Sequence, residues 1–340
     1  MAPKTRILVL GVGAWGTALA LALCRNPDNE VFLWGRDSAA VAAMRVSGIN
    51  QRYLPTIPLP QQLQLVTQND FPTDTDVVVA AVPFQTLRGV LEHFISTMGA
   101  PAVIACACKG IEAGTFLRAD QIVRAVSPEL TTFAMLSGPN FAVEVAQQRP
   151  AAITIATENG KWGPELVRIF HSKSFRPYLT NDVIGVQIGG AIKNVMAIAA
   201  GISDGLNLGA NSRAALITRG LAEISRFGIA QGGEIETFMG LSGLGDLVLT
   251  CTDDKSRNRR FGLQLAAGLK VKEAVEKIGL VEGATTAVAL VALARQLNID
   301  MPIADEVAAT ISGKTAPRQA VRNLLARDPV AESASLKTSL

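Results

Sequence analysis

Hydrophobic and polar positions along the chain fall into two regimes. Up to about residue 180, short runs of consecutive aliphatics alternate with amphipathic stretches. Runs at 7–10, 30–34, 76–82 and 102–106, with a shorter one at 63–66, read as strands, and four adjacent aliphatics imply burial on both faces. Further extended pieces fall at 132–136, 151–156 and 176–180. Helical stretches at 17–23, 39–47, 116–126 and 164–170 separate them, with Ser38 as the cap of the second. Residues 48–60, carrying Pro55, Pro58 and Pro60, read as a loop. Alternating strand and helix is the pattern of a doubly wound, largely parallel sheet. From Val183 onward the strand signals vanish. Residues 186–200, 263–278, 284–297 and 321–325 read as helices, and Ala214, Ile217, Leu221 and Ile224 form a stripe at helical spacing that faces a core. The expected class is therefore α/β, a doubly wound sheet over residues 1–182 followed by an all-helical domain over 183–340. Residues 328–340 are expected to form a loose tail.

The junction between the first strand and the first helix carries chemistry. Gly11, Gly13 and Gly16 fill a G-x-G-x-x-G frame between the strand at 7–10 and the helix at 17–23. The first glycine permits the tight turn, the second lets a pyrophosphate approach the backbone, and the third lets helix and strand lie close. The amides and positive dipole end of the helix then face the phosphates. In that context the motif points to a Rossmann-type dinucleotide site. The second strand ends in Gly35-Arg36, where NAD-specific sites carry an acid for the adenosine ribose. Arg36 there indicates NADP use, or tolerance of NADP and NAD, against the alternative of a surface arginine opening the next helix. Phe84 follows the strand at 76–82 and either touches the cofactor or caps the core. Lys109, just past the strand at 102–106, projects near the same rim and suits an anionic ligand. Residues 137–142 form another strand-to-helix junction.

Composition narrows the classes. At 340 residues, two domains are the natural division. The content of 49% hydrophobic and 18% charged residues describes a well-buried globular protein. A net charge of +3 gives no general attraction to nucleic acid or an anionic membrane. Cys24, Cys106, Cys108 and Cys251 show no C-x-x-C spacing and suit a reducing cytoplasm. Lys4 and Arg6 before an apolar run to Cys24 imitate a signal peptide, but three glycines and Trp15 interrupt the run and Leu23 is too large for a cleavage site. No uninterrupted apolar run reaches about 18 residues, so no spanning helix and no integral membrane contact are expected.

In the helical half, Lys193 shares a helix face with Gly189, Ala197 and Ala200, with no acid at 189, 190, 196 or 197 to pair with it. Burial lowers the pKa of such a cation and makes it an acid or base near neutrality, unless the side chain snorkels to water. Asp246 follows the glycine loop at 239–245 and either holds a substrate hydroxyl or Lys193, or caps a turn. Lys255-Ser256-Arg257-Asn258-Arg259-Arg260 packs four cations into six positions. Asp253 and Asp254 adjoin it and no aromatic series accompanies it, so a small phosphate-binding turn at a helix start fits better than a nucleic-acid patch. No hydrolase triad and no metal site are expected. A hydride-transfer site with a lysine acid/base and a phosphate grip points to a phosphorylated alcohol or ketone as the small-molecule substrate. Two rivals are a hydroxyacid dehydrogenase, which needs a carboxylate site and has no use for 256–258, and a non-catalytic nucleotide sensor, which would turn nothing over.

Across nearly its full length the chain resembles bacterial NAD(P)-dependent glycerol-3-phosphate dehydrogenases. The stretches that carry the resemblance are 11–18, 81–83, 109–112, 137–142, 193–194, 241–247, 256–262 and 281–283. The resemblance implies a helical substrate domain like that of 6-phosphogluconate dehydrogenase. It implies reduction of dihydroxyacetone phosphate to sn-glycerol 3-phosphate for phospholipid synthesis, in the cytoplasm; a homodimer is the default for such folds. By that likeness Lys193 is the proton acceptor, and Lys109, Gly138, Asn140, Asp246, Ser256, Arg257 and Asn258 line the substrate site. Ala14, Trp15, Arg36, Ala142, Leu280 and Glu282 contact the cofactor, with Lys109 and Arg257 near both ligands. Cys106-Ala107-Cys108 before Lys109, and Ala14 and Asn140 in place of frequent serines, depart mildly from the family pattern.

Overall fold

The computed structural model describes residues 4–67, 70–130 and 132–328. Among these, ten strands occur: β1 Thr5–Leu10, β2 Asn29–Trp34, β3 Ile49–Asn50, β4 Leu54–Pro58, β5 Gln64–Val66, β6 Val77–Ala80, β7 Val103–Cys106, β8 Phe133–Ser137, β9 Ala151–Ala156 and β10 Phe175–Thr180. Eight of them form one sheet in the order β10-β9-β8-β7-β6-β1-β2-β5. All its neighbours run parallel except β8 with β9. The register sets Ile7 beside both Val31 and Val77, and Val79 beside Ala105. All five are buried, which is why the aliphatic runs are unbroken. At β1 the strand order reverses, and open parallel sheets bind ligands at the carboxyl ends of such strands.

Several local expectations change. Asp37, not Ser38, caps the helix Ser38–Ser47, its carboxylate accepting from the Ala39 and Ala40 amides at 3.0 and 3.1 Å. Residues 48–60 are not a plain loop. Gly48 ends that helix at φ +64° and leads into the antiparallel hairpin β3–β4, which Leu54, 3% exposed, anchors in the core. The helix expected from 116 starts at Ala119, because Phe116 sits at φ +60° and cannot be helical.

The helical part contains the long helix Val183–Gly205 and Gly209–Ala230. The single helix expected at 263–278 is two, Arg257–Ala266 and Val271–Ile278, broken at Gly268 with φ +92°. The next runs Glu282–Gln296, two residues earlier than expected, and Pro317–Leu325 opens on proline at its first turn. Val183–Gly205 is long and apolar enough to cross a membrane, with mean hydropathy 1.5, but 94% of that window is buried inside the fold. A helix apolar all round is what a central core position requires. Glu223 on Gly209–Ala230 is 2% exposed and accepts from the first-turn amides of Pro302–Ile311, Ile303 at 2.7 Å and Ala304 at 3.3 Å.

The chain divides into two compact units. One holds the residues up to Cys108 together with Ala119–Val183, and the other holds Lys109–Arg118 with the residues from Ile184 onward. The expected division at 182/183 is a single cut. The packing of Lys109–Arg118, which buries Ile111 in the helical core, is an excursion that a single cut does not describe. The tail expected at 328–340 lies outside the described residues apart from Asp328.

Candidate active site

In the sheet unit, Gly11 to Gly16 form the turn from β1 into the helix Ala14–Leu23. Gly11 sits at φ +119°, and a Cβ there would lie 2.6 Å from the Ala81 carbonyl oxygen. A Cβ on Gly16 would collide with the Gly11 carbonyl oxygen. These two glycines are therefore required by close approach within the turn itself and to the residue that follows β6. Gly13 differs, because nothing lies within 4 Å of where its Cβ would stand. No side chain caps the helix at Gly13. Open space at an uncapped helix start is a cradle that fits a pyrophosphate, so the residues present suit a dinucleotide. Ala14 and Trp15 form the first turn and are partly buried, and Arg36 follows β2 with its side chain exposed. Phe84, in the 3₁₀ turn Phe84–Thr86, is 2% exposed, its ring in the core. Past β8, Gly138 has φ +140° and Asn140 donates to the Ala152 carbonyl at 2.8 Å. Ala142 opens the short helix Ala142–Ala146.

In the helical unit, three expected residues meet. Lys193 lies on the long helix, 7% exposed. Its Nζ donates to Asp246 Oδ1 and, at 2.9 Å, to Thr250 Oγ1. Lys109 Nζ donates to the other carboxylate oxygen, Oδ2, at 2.6 Å. Asp246 is 1% exposed and opens the helix Asp246–Thr252, directly after a wide π-type turn at Leu241–Gly245. Of the alternatives open at the sequence level, Asp246 holds Lys193, and the Lys193 ammonium is buried rather than snorkelling. Thr250 was missed. It follows Asp246 by one helical turn, so it shares that face, and its hydroxyl also donates to the Asp246 carbonyl at 2.6 Å.

Charge follows from burial. Desolvation pushes Lys193 down to about 8, helped by the Lys109 ammonium and opposed by Asp246. Burial alone would raise the Asp246 carboxyl, but the two ammoniums outweigh it and hold it below the usual carboxylate range. Cys251, next along the helix, is pushed up to about 12 by burial and is no nucleophile. Such a cluster can give up a proton near neutrality while its carboxylate stays charged.

The basic turn proves to be partly scaffold. Ser256 caps the helix Arg257–Ala266, its hydroxyl accepting from the Arg259 amide at 3.2 Å. Asn258 Nδ2 donates to Asn194 Oδ1, and its Oδ1 accepts from the Gly283 amide, both at 2.9 Å. That links the neighbour of Lys193 to the start of helix Glu282–Gln296, just after the exposed Leu280. Arg259 is buried against Asp204 at 2.6 Å, and Lys255 pairs with Asp253 at 3.0 Å. Arg257 and Arg260 are exposed, with no carboxylate partner among the described residues. Of the four cations, these two are left to meet an anion.

Comparison with known proteins bears on what such a site does. Residues 6–163 match the NAD-dependent glycerol-3-phosphate dehydrogenase N-terminus family, and residues 182–322 match the corresponding C-terminus family. A protein of Halorhodospira halophila named glycerol-3-phosphate dehydrogenase [NAD(P)+] is 48% identical over 96% of this chain and 98% of its own length. One of the same name from Nitrosococcus oceani is 48% identical over 97% and 96%. The crystal structure of glycerol-3-phosphate dehydrogenase from Coxiella burnetii superimposes with a TM-score of 0.90 at 41% identity, covering 95% of this chain and 99% of that one.

Proposed function

Because the chain belongs to the NAD-dependent glycerol-3-phosphate dehydrogenase family, we infer that it catalyses the reversible NAD(P)H-dependent reduction of dihydroxyacetone phosphate to sn-glycerol 3-phosphate. The observation that carries the mechanism is the Lys109–Asp246–Lys193 cluster, with Asp246 and Lys193 buried and Lys109 half-buried. When bound, the nicotinamide supplies a hydride to the ketone carbon. Lys193 donates the proton to the oxygen that becomes the alcohol, and in the reverse direction takes it back. Asp246 keeps the Lys193 ammonium aimed, and Lys109 adds positive charge where the alkoxide develops. Arg257 grips the substrate phosphate, with Gly138, Asn140, Ser256 and Asn258 shaping its surroundings. The glycine turn at 11–16 and the first helical turn hold the cofactor pyrophosphate. Arg36 meets its adenosine end, Ala142, Leu280 and Glu282 are further cofactor contacts carried over from the family likeness, and Phe84 stays a core residue.

We extend the reading to a cytoplasmic homodimer that feeds glycerophospholipid synthesis. Four buried cysteines that form no disulfide among the described residues suit a reducing compartment, and twofold dimers are the commonest of soluble homo-oligomers. The deciding experiment follows NADPH and NADH oxidation with dihydroxyacetone phosphate, and with dihydroxyacetone, for the parent and Arg257→Ala. The parent turns over the phosphate with both cofactors. The variant raises KM for the phosphate by about tenfold or more, the weight of a charge-assisted contact, and leaves the slow dihydroxyacetone rate unchanged. Equal losses on both substrates would refute the grip, and no turnover of the phosphate would refute the function.

A further inference from the structure

We propose that Asn50 is a positioning residue for the dinucleotide turn, fixing the Val12–Gly13 peptide so that the Gly13 N–H faces the phosphates. Asn50 lies on β3 of the hairpin that follows helix Ser38–Ser47, and it is 2% exposed. Its side-chain amide has two hydrogens, and both are used on the glycine turn. One goes to the Val12 carbonyl at 2.8 Å, the other to Thr17 Oγ1 at 2.8 Å. Thr17, fully buried on the first turn of the following helix, leans its own hydroxyl toward the same carbonyl at 3.4 Å.

The peptide after Val12 is trans, as are all described peptides. In a trans peptide the carbonyl and the next N–H point to opposite sides. Holding the Val12 oxygen toward Asn50 therefore turns the Gly13 N–H the other way. The space around Gly13 is open. The Val12 side chain is fixed independently: a Cβ on Gly35 would lie 3.0 Å from Val12 Cγ1 and 2.6 Å from Val41 Cγ2, so strand end, helix and turn meet tightly there. The hairpin thus completes a clamp on one peptide unit from both its carbonyl and its side chain. A donor fixed before the ligand arrives loses no conformational freedom on binding, and that gain falls on affinity.

The inference rests on the dinucleotide reading above and concerns cofactor binding rather than proton transfer. Its test is fluorescence titration of the full-length protein with NADPH, without substrate. Asn50→Ala and the isosteric Asn50→Asp, which cannot donate to the Val12 carbonyl, each raise the NADPH dissociation constant about tenfold, the weight of one to two buried hydrogen bonds. At saturating NADPH, kcat and the KM for dihydroxyacetone phosphate stay within about twofold. In the cofactor-free protein, amide hydrogen exchange quickens at residues 12–17 while β1 and β2 stay protected. A purely structural role would lower the melting midpoint and leave the dissociation constant unmoved. NADPH binding by folded variants within twofold of the parent overturns the inference, as does a fall in kcat that matches the change in affinity. If the alanine variant does not fold, the aspartate variant is read alone by the same criteria. A parent that binds neither dinucleotide overturns the functional reading and this inference with it.

Discussion

Lys193 shows how one buried side chain can set the direction of a reaction's pH response. Its pKa of about 8 follows from burial, with Asp246 limiting the fall. As an acid it must carry its proton, so kcat/KM for dihydroxyacetone phosphate reduction declines as pH rises through about 8. As a base it must not, so kcat/KM for glycerol 3-phosphate oxidation rises over the same interval. Initial rates in both directions from pH 6 to 10 check this, and parallel profiles would contradict the assignment. Lys193→Ala lowers kcat by about 10²–10⁴-fold and leaves NADPH affinity nearly intact. At this scale the sequence was partly legible. A lone cation on an apolar helix face announced itself, because no nearby acid explained it. Its partner Asp246 is 53 positions away, and Thr250 has no motif of its own, so the hydrogen-bonded cluster emerged only from packing. Arg259 misled for the opposite reason. It belongs to a basic run, yet its charge is spent on Asp204 rather than on a ligand.

The elements behind the site work through close approach. The π-type turn at Leu241–Gly245 lies hard against the long helix: a Cβ on Gly189 would stand 2.9 Å from the Ser242 carbonyl oxygen. Gly189 is one turn before Lys193, and the π-type turn leads straight into Asp246. Gly189→Ala therefore displaces the turn that carries the carboxylate. It lowers kcat by about 10–100-fold with little change in NADPH dissociation constant, since small misplacements cost that much in oriented sites. A variant with unchanged kcat would show that the turn has slack. Strands buried on both faces were legible from their aliphatic runs, as at Ile7–Leu10. The hairpin β3–β4 was not: three prolines within 48–60 suppress a strand reading, although an edge hairpin tolerates them. Helix starts also slipped by a few residues, since a cap such as Asp37 is chosen by geometry among neighbouring candidates.

For the whole molecule, the alternation of strand and helix followed by helix alone was enough to give the class. It could not reveal where buried titratable groups sit. Glu223 sits among helices with two backbone donors, yet burial pushes its carboxyl up to about 8. A folded-state value above the ordinary 4.5 favours the protonated folded form. Its contribution to stability is complete below about 4.5 and lost as pH climbs through about 8, with a slope of up to about 1.4 kcal/mol per pH unit. Denaturant unfolding of the parent and Glu223→Gln between pH 5 and 8 isolates that slope: the parent weakens with rising pH more steeply than the variant. Equal slopes would place the titration elsewhere. Lys109–Arg118, finally, imposes an order on biosynthesis. Lys109 leaves the ribosome 137 residues ahead of the aspartate it will bind. The nascent chain must hold that segment aside while residues 119–183 finish the sheet. A gene cut at codon 184 would encode helices that lack one of the two ammoniums on Asp246, so the second unit is not a cassette that recombination can lift out whole.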